Sequence, residues 1–110
     1  MDARELADGY FTGIRSRDIA AMVGKFAPDA VMILPDGREI TGADALRTFY
    51  GGLFAANPPF PTPARIIVGA GEAAVEIEAK LDDGSARRTA NFFDFDGQGR
   101  IARLSIYRRG

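Results

Sequence analysis

Histidine and cysteine are both absent from the 110 residues of this chain. Without them a zinc ion would have only carboxylates for ligands, a poor set for that metal, so no metal site and no cofactor are expected. A Ser-His-Asp or Cys-His nucleophile system is impossible. Any general acid or base must come from Asp, Glu, Lys or Tyr. The lack of cysteine also removes disulfides and leaves the redox compartment unmarked.

A strong charge of either sign is missing too. Fourteen basic side chains face fifteen acidic ones, so no net field draws in nucleic acid or an anionic membrane. Neither is expected as a partner. No stretch approaches the roughly 18 consecutive apolar residues of a membrane helix, and the N-terminal MDARELADGY is charged from its second residue. Neither a transmembrane helix nor a secretory signal is therefore expected, which leaves the cytoplasm as the default location.

What is present suits one small globular domain spanning residues 1–110, with 46% hydrophobic and 26% charged residues, just enough to bury a real core. Leu6, Tyr10 and Ile14 recur at helical spacing, with Ala3 and Ala7 beside them. Ile19, Met22, Val23 and Phe26 predict a second helix, capped by Ser16 or Asp18 and stopped by Pro28. In DAVMILPDG, four apolar residues run unbroken from Val31 to Leu34 before a Pro-Asp-Gly turn. A strand half exposed to water would alternate, so both faces of this one should be covered. Thr41 and Asp44 form a loose capping box ahead of a third helix through Leu46, Phe49, Tyr50, Leu53 and Phe54. Gly51-Gly52 inside it imply either close packing or fraying.

From Ala64 the period changes to two. ARIIVG is a strand, and AAVEIEAKL sets Val75, Ile77, Ala79 and Leu81 against Glu76, Glu78 and Lys80. RRTANFFDF and RIARLSIYR form a hairpin around Asp96-Gly97-Gln98-Gly99. Helices followed by an antiparallel meander indicate an α+β domain with helices on one face of a curved sheet.

Two segments carry a family resemblance. FAPDAVMILPDGREITGADALRTFY and NFFDFDGQGRIARLSIYR resemble the recurrent strand-turn-helix and the final hairpin of the nuclear transport factor 2-like superfamily, with its SnoaL-like and ketosteroid-isomerase-like members nearest. The resemblance implies a cone-shaped fold in which three N-terminal helices pack on a curved antiparallel or mixed sheet. It leaves activity open, because one fold hosts many chemistries. Ketosteroid isomerases use an Asp base with an oxyanion hole of a tyrosine and a protonated Asp. By resemblance Tyr10 stands at the oxyanion tyrosine, Tyr50 at a tyrosine that bonds it, and Asn91 at the protonated Asp. The general base falls on Leu34, which takes no proton. The Asp-Arg-Asp set of epoxide hydrolases in this fold has no good match here.

Each of these residues also has a plain structural reading. Tyr10 and Tyr50 suit a core with satisfied hydroxyls, and Asn91 suits a tie to a neighbouring strand or water. Strand parity turns Asn91, Phe93 and Phe95 to the concave face and Asp94 to the convex one. Asp36 and Glu39 belong on a solvent-facing turn. Arg87-Arg88 and Arg108-Arg109 read as ordinary surface charge rather than an anion site.

The expectation is a pocket for a small apolar molecule bearing a carbonyl. Tyr10 and Asn91 are the candidate catalytic residues and Tyr50 a further hydrogen-bonding contact, with Met32, Leu34, Phe54, Phe93, Leu104 and Ile106 as walls. An isomerase, cyclase or dehydratase with a relocated base is the alternative, and a protein-interaction module a third. The outer face, with Glu76, Glu78, Lys80, Arg88, Arg103, Ser105 and Tyr107, interleaves both signs of charge. It is expected to pair as a homodimer.

Overall fold

The computed structural model describes residues 2–109. Helix α1 (Ala3–Ser16) begins in a reciprocal capping box: the Asp2 carboxylate accepts from the Glu5 amide, and the Glu5 side chain reaches back to Asp2. It ends at Arg17 in the left-handed region, φ 54°, whose N–H closes on the Gly13 and Ile14 carbonyls. Helix α2 (Ile19–Gly24) is capped by Asp18 through the Ala21 N–H at 3.1 Å.

Strand β1 (Phe26–Ile33) follows at once, which corrects two expectations. Phe26 fits the helical spacing, yet it opens the strand, because the Lys25 carbonyl accepts from Ile101 N and Phe26 pairs with Ile101. Pro28 lies inside the strand rather than beyond a helix. It is tolerated where the register with the last strand slips between Phe26 and Val31, a bulge that does not need the missing N–H.

A short strand β2 (Glu39–Thr41) turns back on β1, and helix α3 (Ala43–Ala55) follows. The expected Thr41–Asp44 capping box is not formed. Thr41 belongs to β2, and Gly42, at φ +86°, takes the N-cap position without a side-chain bond. That positive φ swings the chain from strand to helix, a turn only glycine makes without strain. Asp44 instead pairs with Arg47 at 2.9 Å. α3 runs continuously through Gly51 and Gly52, so it neither breaks at them nor is pressed against a neighbour there.

Four strands complete the sheet: β3 (Thr62–Gly69), β4 (Glu72–Lys80), β5 (Ala86–Phe95) and β6 (Ile101–Arg109). The spatial order β2-β1-β6-β5-β4-β3 is antiparallel except where β1 runs parallel to β6. This α+β arrangement is the cone that the resemblance implies. The helices cover one end of the concave face, where Met32, Phe93 and Leu104 are fully buried beside Tyr50, Leu46 and Met22. Val31 and Ile33, on the opposite face of β1, are only half-buried. Among the described residues no helix is long and apolar enough to cross a membrane.

Candidate functional site

The other end of the concave face stays open. A cavity of about 280 Å³ lies there between the sheet, α1, α3 and the proline-rich segment Pro58–Pro61, near the lower limit for ligand pockets. From β5 come Thr89 and Asn91, from β6 Ile106, from α1 Tyr10, and from α3 Phe49, Leu53 and Phe54. Leu34 closes one side, its backbone held by the bond from its N–H to the Arg38 carbonyl at 2.9 Å.

The candidate residues thus divide. Tyr10, Asn91, Leu34, Phe54 and Ile106 share the cavity lining. Met32, Phe93 and Leu104 do not, which corrects their expected place as walls: they lie deeper on the same sheet face, sealed under the helices. Tyr50 is likewise buried behind the lining and meets no cavity space.

Tyr50 acts on the site through Tyr10. The two hydroxyls lie 2.8 Å apart, and the Tyr50 hydroxyl also reaches the Met32 sulfur at 3.7 Å. When Tyr50 donates to Tyr10, the Tyr10 proton is left for another acceptor. Edge-on rings of Phe11 and Phe93, each 5.2 Å from the Tyr10 ring, fix its orientation. Burial pushes the Tyr10 hydroxyl up to about 12, against a smaller opposing pull from the bond to Tyr50. Burial also holds Tyr50 well above its ordinary value, and the adjacent Tyr10 adds to the rise. Both phenols stay neutral at physiological pH. They donate hydrogen bonds and are not bases.

Asn91 is 4% exposed, and its amide makes no hydrogen bond to any described residue. Every fully buried polar side-chain atom among the described residues does have a partner. The Asn91 amide therefore keeps contact with the cavity space, which offers it somewhere to bond. It does not tie strands together.

No aspartate or glutamate lines the cavity. Asp94 is exposed on the convex face, and Asp36 is exposed and paired with Arg38 at 3.3 Å. Among the described residues no three metal-ligating side chains converge. Sequence reasoning missed Thr89, although it shares the parity of Asn91. It also passed over the Pro58–Pro61 rim, whose only mark was composition.

The SnoaL-like domain model matches residues 7–104, almost the whole chain. The chain belongs to the SnoaL-like family. Among solved structures, a protein from Sphaerobacter thermophilus is 28% identical with a TM-score of 0.82, covering 100% of this chain and 98% of its own. A candidate polyketide cyclase from Sinorhizobium meliloti is 27% identical with a TM-score of 0.80, covering 93% of each chain. A candidate ketosteroid isomerase from Kribbella flavida, at 23% identity and a TM-score of 0.82 over 97% of this chain and 77% of that one, shares the fold. Among curated proteins none matches the sequence. This SnoaL-like domain therefore carries the family's nuclear transport factor 2-like cone, with an apolar residue, Leu34, at the position where the resemblance sets the isomerase base.

Proposed function

We propose that this SnoaL-like domain binds a small, mainly apolar, carbonyl-bearing molecule in the cavity, without the proton transfer of a ketosteroid isomerase. The observation that carries the reading is the Asn91 amide, buried, unpartnered by protein and sharing with Tyr10 a lining that also holds Leu34, Phe49, Leu53, Phe54 and Ile106. A carbonyl oxygen is the acceptor that two neutral donors fit. Titration calorimetry with butyrophenone tests it. Wild type should bind, and Asn91→Ala should bind about threefold to tenfold more weakly, as expected for one lost hydrogen bond. Equal affinity in the two proteins would remove Asn91 from the site.

A second reading is an isomerase, cyclase or dehydratase in which Tyr10 and Asn91 stabilise an enolate-like oxyanion. The Tyr10–Tyr50 pair at 2.8 Å favours it, as does the likeness to a candidate polyketide cyclase at 27% identity. Its base would be a displaced acid or water, and the lining offers no carboxylate. The first reading needs no such group.

The domain is also proposed to pair as a homodimer through its convex face. Phe92 (48% exposed) and Tyr107 (60% exposed) meet edge-on there at 5.5 Å, with Ile67 exposed on a nearby strand. A shallow hollow of about 270 Å³ beside them is bordered by Glu76, Glu78, Arg88 and Arg109, charges able to complement themselves across a two-fold axis. A second copy would also cover Val31 and Ile33.

A further inference from the structure

We infer that the ligand of this cavity is an organic carboxylate, its apolar body inside and its acid group held at the mouth by Arg87 and Arg108. The inference rests on the cavity being a ligand site and adds the ligand's chemical class. Three arginines, Arg17, Arg87 and Arg108, line the cavity, and no acid does. The chain as a whole has a net charge of −1, so the positive rim is a local arrangement and not a surplus spread over the surface.

The sheet register explains how the arginines arrive there. Thr89 pairs with Arg108, so Arg108 follows Ile106 on the concave face and Arg87 follows Thr89. The two basic dipeptides are thereby split. Arg88 and Arg109 pair with each other's strand positions on the convex face, where Arg88 meets Glu78 at 3.5 Å. Arg87 and Arg108 become diagonal neighbours on the concave face, close enough for long side chains to share one partner. Among the described residues neither has an ion-pair partner, whereas Arg38, Arg47, Arg65, Arg88 and Arg100 each do.

Two like charges placed diagonally repel, and an anion between them offsets that cost. A guanidinium presents a planar fork that matches a carboxylate with two parallel hydrogen bonds. Arg17 is committed elsewhere: its Nη2 donates to the Pro58 carbonyl at 2.7 Å and its guanidinium lies 4.6 Å over the Phe60 ring. It holds the proline-rich rim in place and adds positive potential. Asp82 and Asp83 border an outer groove shared with Arg17, and Asp83 is taken up by the Ser85 amide and hydroxyl.

Spacing along β5 fixes the ligand's shape. Asn91 lies two residues from the Thr89–Arg108 level and four from Arg87, or roughly 7 and 13 Å along the strand. Arginine side chains shorten that span. A ketone at Asn91 and a carboxylate a few bonds away fit one compact molecule.

4-Oxo-4-phenylbutanoate, its methyl ester and butyrophenone share a phenyl ketone and differ in the acid. In calorimetry at low salt the acid should bind about tenfold more tightly than its ester, the gain typical of charge-assisted pairing. The Arg87→Gln/Arg108→Gln double variant should bring the two together. Arg88→Gln/Arg109→Gln, on the convex face, should preserve the preference. Equal binding of acid and ester by wild type, with the ketone still bound, would overturn the carboxylate assignment and spare the cavity reading. Binding of none of the three would overturn both.

Discussion

The hydroxyls of Tyr10 and Tyr50, forty residues apart in sequence, meet at 2.8 Å beneath the cavity. Only the first of the two lines the cavity. The second, fully buried, supports it from behind and leans on the Met32 sulfur. A pair of neutral phenols with one member at a ligand surface is a polarising device without a proton acceptor. In the proposed reading it would polarise a carbonyl, with a leucine where the resemblance sets the isomerase base.

The pair makes stability depend on alkaline pH. Tyr10 ionises at about 12 in the folded chain, above the ordinary value of 10.0, so folding favours its protonated form. Its contribution is complete below pH 10 and is lost as pH rises through 12. The loss over that window is roughly 2–3 kcal/mol. Urea unfolding at pH 9, 10 and 11 should show wild type declining more steeply than Tyr10→Phe. Parallel slopes would mean that the phenol ionises as freely folded as unfolded.

Tyr50→Phe leaves the Tyr10 hydroxyl without its partner and the Met32 sulfur without its donor. A cost of about 1 kcal/mol is expected, typical of a buried hydrogen bond. Ketone affinity should fall too, although Tyr50 touches no cavity space, because the Tyr10 hydroxyl loses its anchor. Stability loss with unchanged affinity would assign the pair to the core alone.

Gly52 lies exposed in α3 with nothing within 4 Å of the position a Cβ would take. Gly52→Ala should stabilise the domain by about 1 kcal/mol, the helix-propensity difference. Gly51→Ala should do nearly as well, since its Cβ would meet Ile19 Cδ1 at an ordinary 3.7 Å. Chemical denaturation measures both. A loss of stability in Gly52→Ala would reveal a requirement for glycine that the packing does not show.

Much of this fold is legible in the sequence because the apolar period changes from helical to two near Ala64 and the strands after it are long. β2 escaped notice because three residues, Glu39–Thr41, are too few to show alternation. The spacing of Phe26 suits both helix and strand, and pairing with Ile101 decides between them. The site was half legible. Parity correctly put Asn91 and Phe93 on one face, but two residues along β5 separate a cavity position from a sealed one. How far α1 and α3 extend over the sheet sets that boundary, and no local pattern encodes it. The same holds for Arg87 and Arg108, whose approach to one mouth depends on the β5–β6 register.

Leu34→Asp would set an acid at the position where the resemblance puts the isomerase base. Leu34 is only 7% exposed, so the new carboxyl would have a raised pKa suited to proton abstraction. It would cost about 1–3 kcal/mol of stability. Isomerisation of 3-cyclohexenone to its conjugated isomer should become detectable by ultraviolet absorbance. A folded variant that binds the ketone without turnover would contradict the donor roles of Tyr10 and Asn91.

Sedimentation equilibrium tests the convex-face dimer. Wild type should sediment at twice the 11.8 kDa protomer mass, and Phe92→Glu at the protomer mass. A monomeric wild type at high micromolar concentration would leave Phe92 and Tyr107 without the proposed cover.

The most direct test of the central claim is nuclear magnetic resonance of the Asn91 side-chain amide during titration with butyrophenone. The two amide proton signals should shift saturably together with the backbone signals of Thr89 and Ile106, while those of Glu76 and Glu78 stay still. Asn91 signals unmoved at saturating ketone, or shifts confined to the convex face, would contradict it.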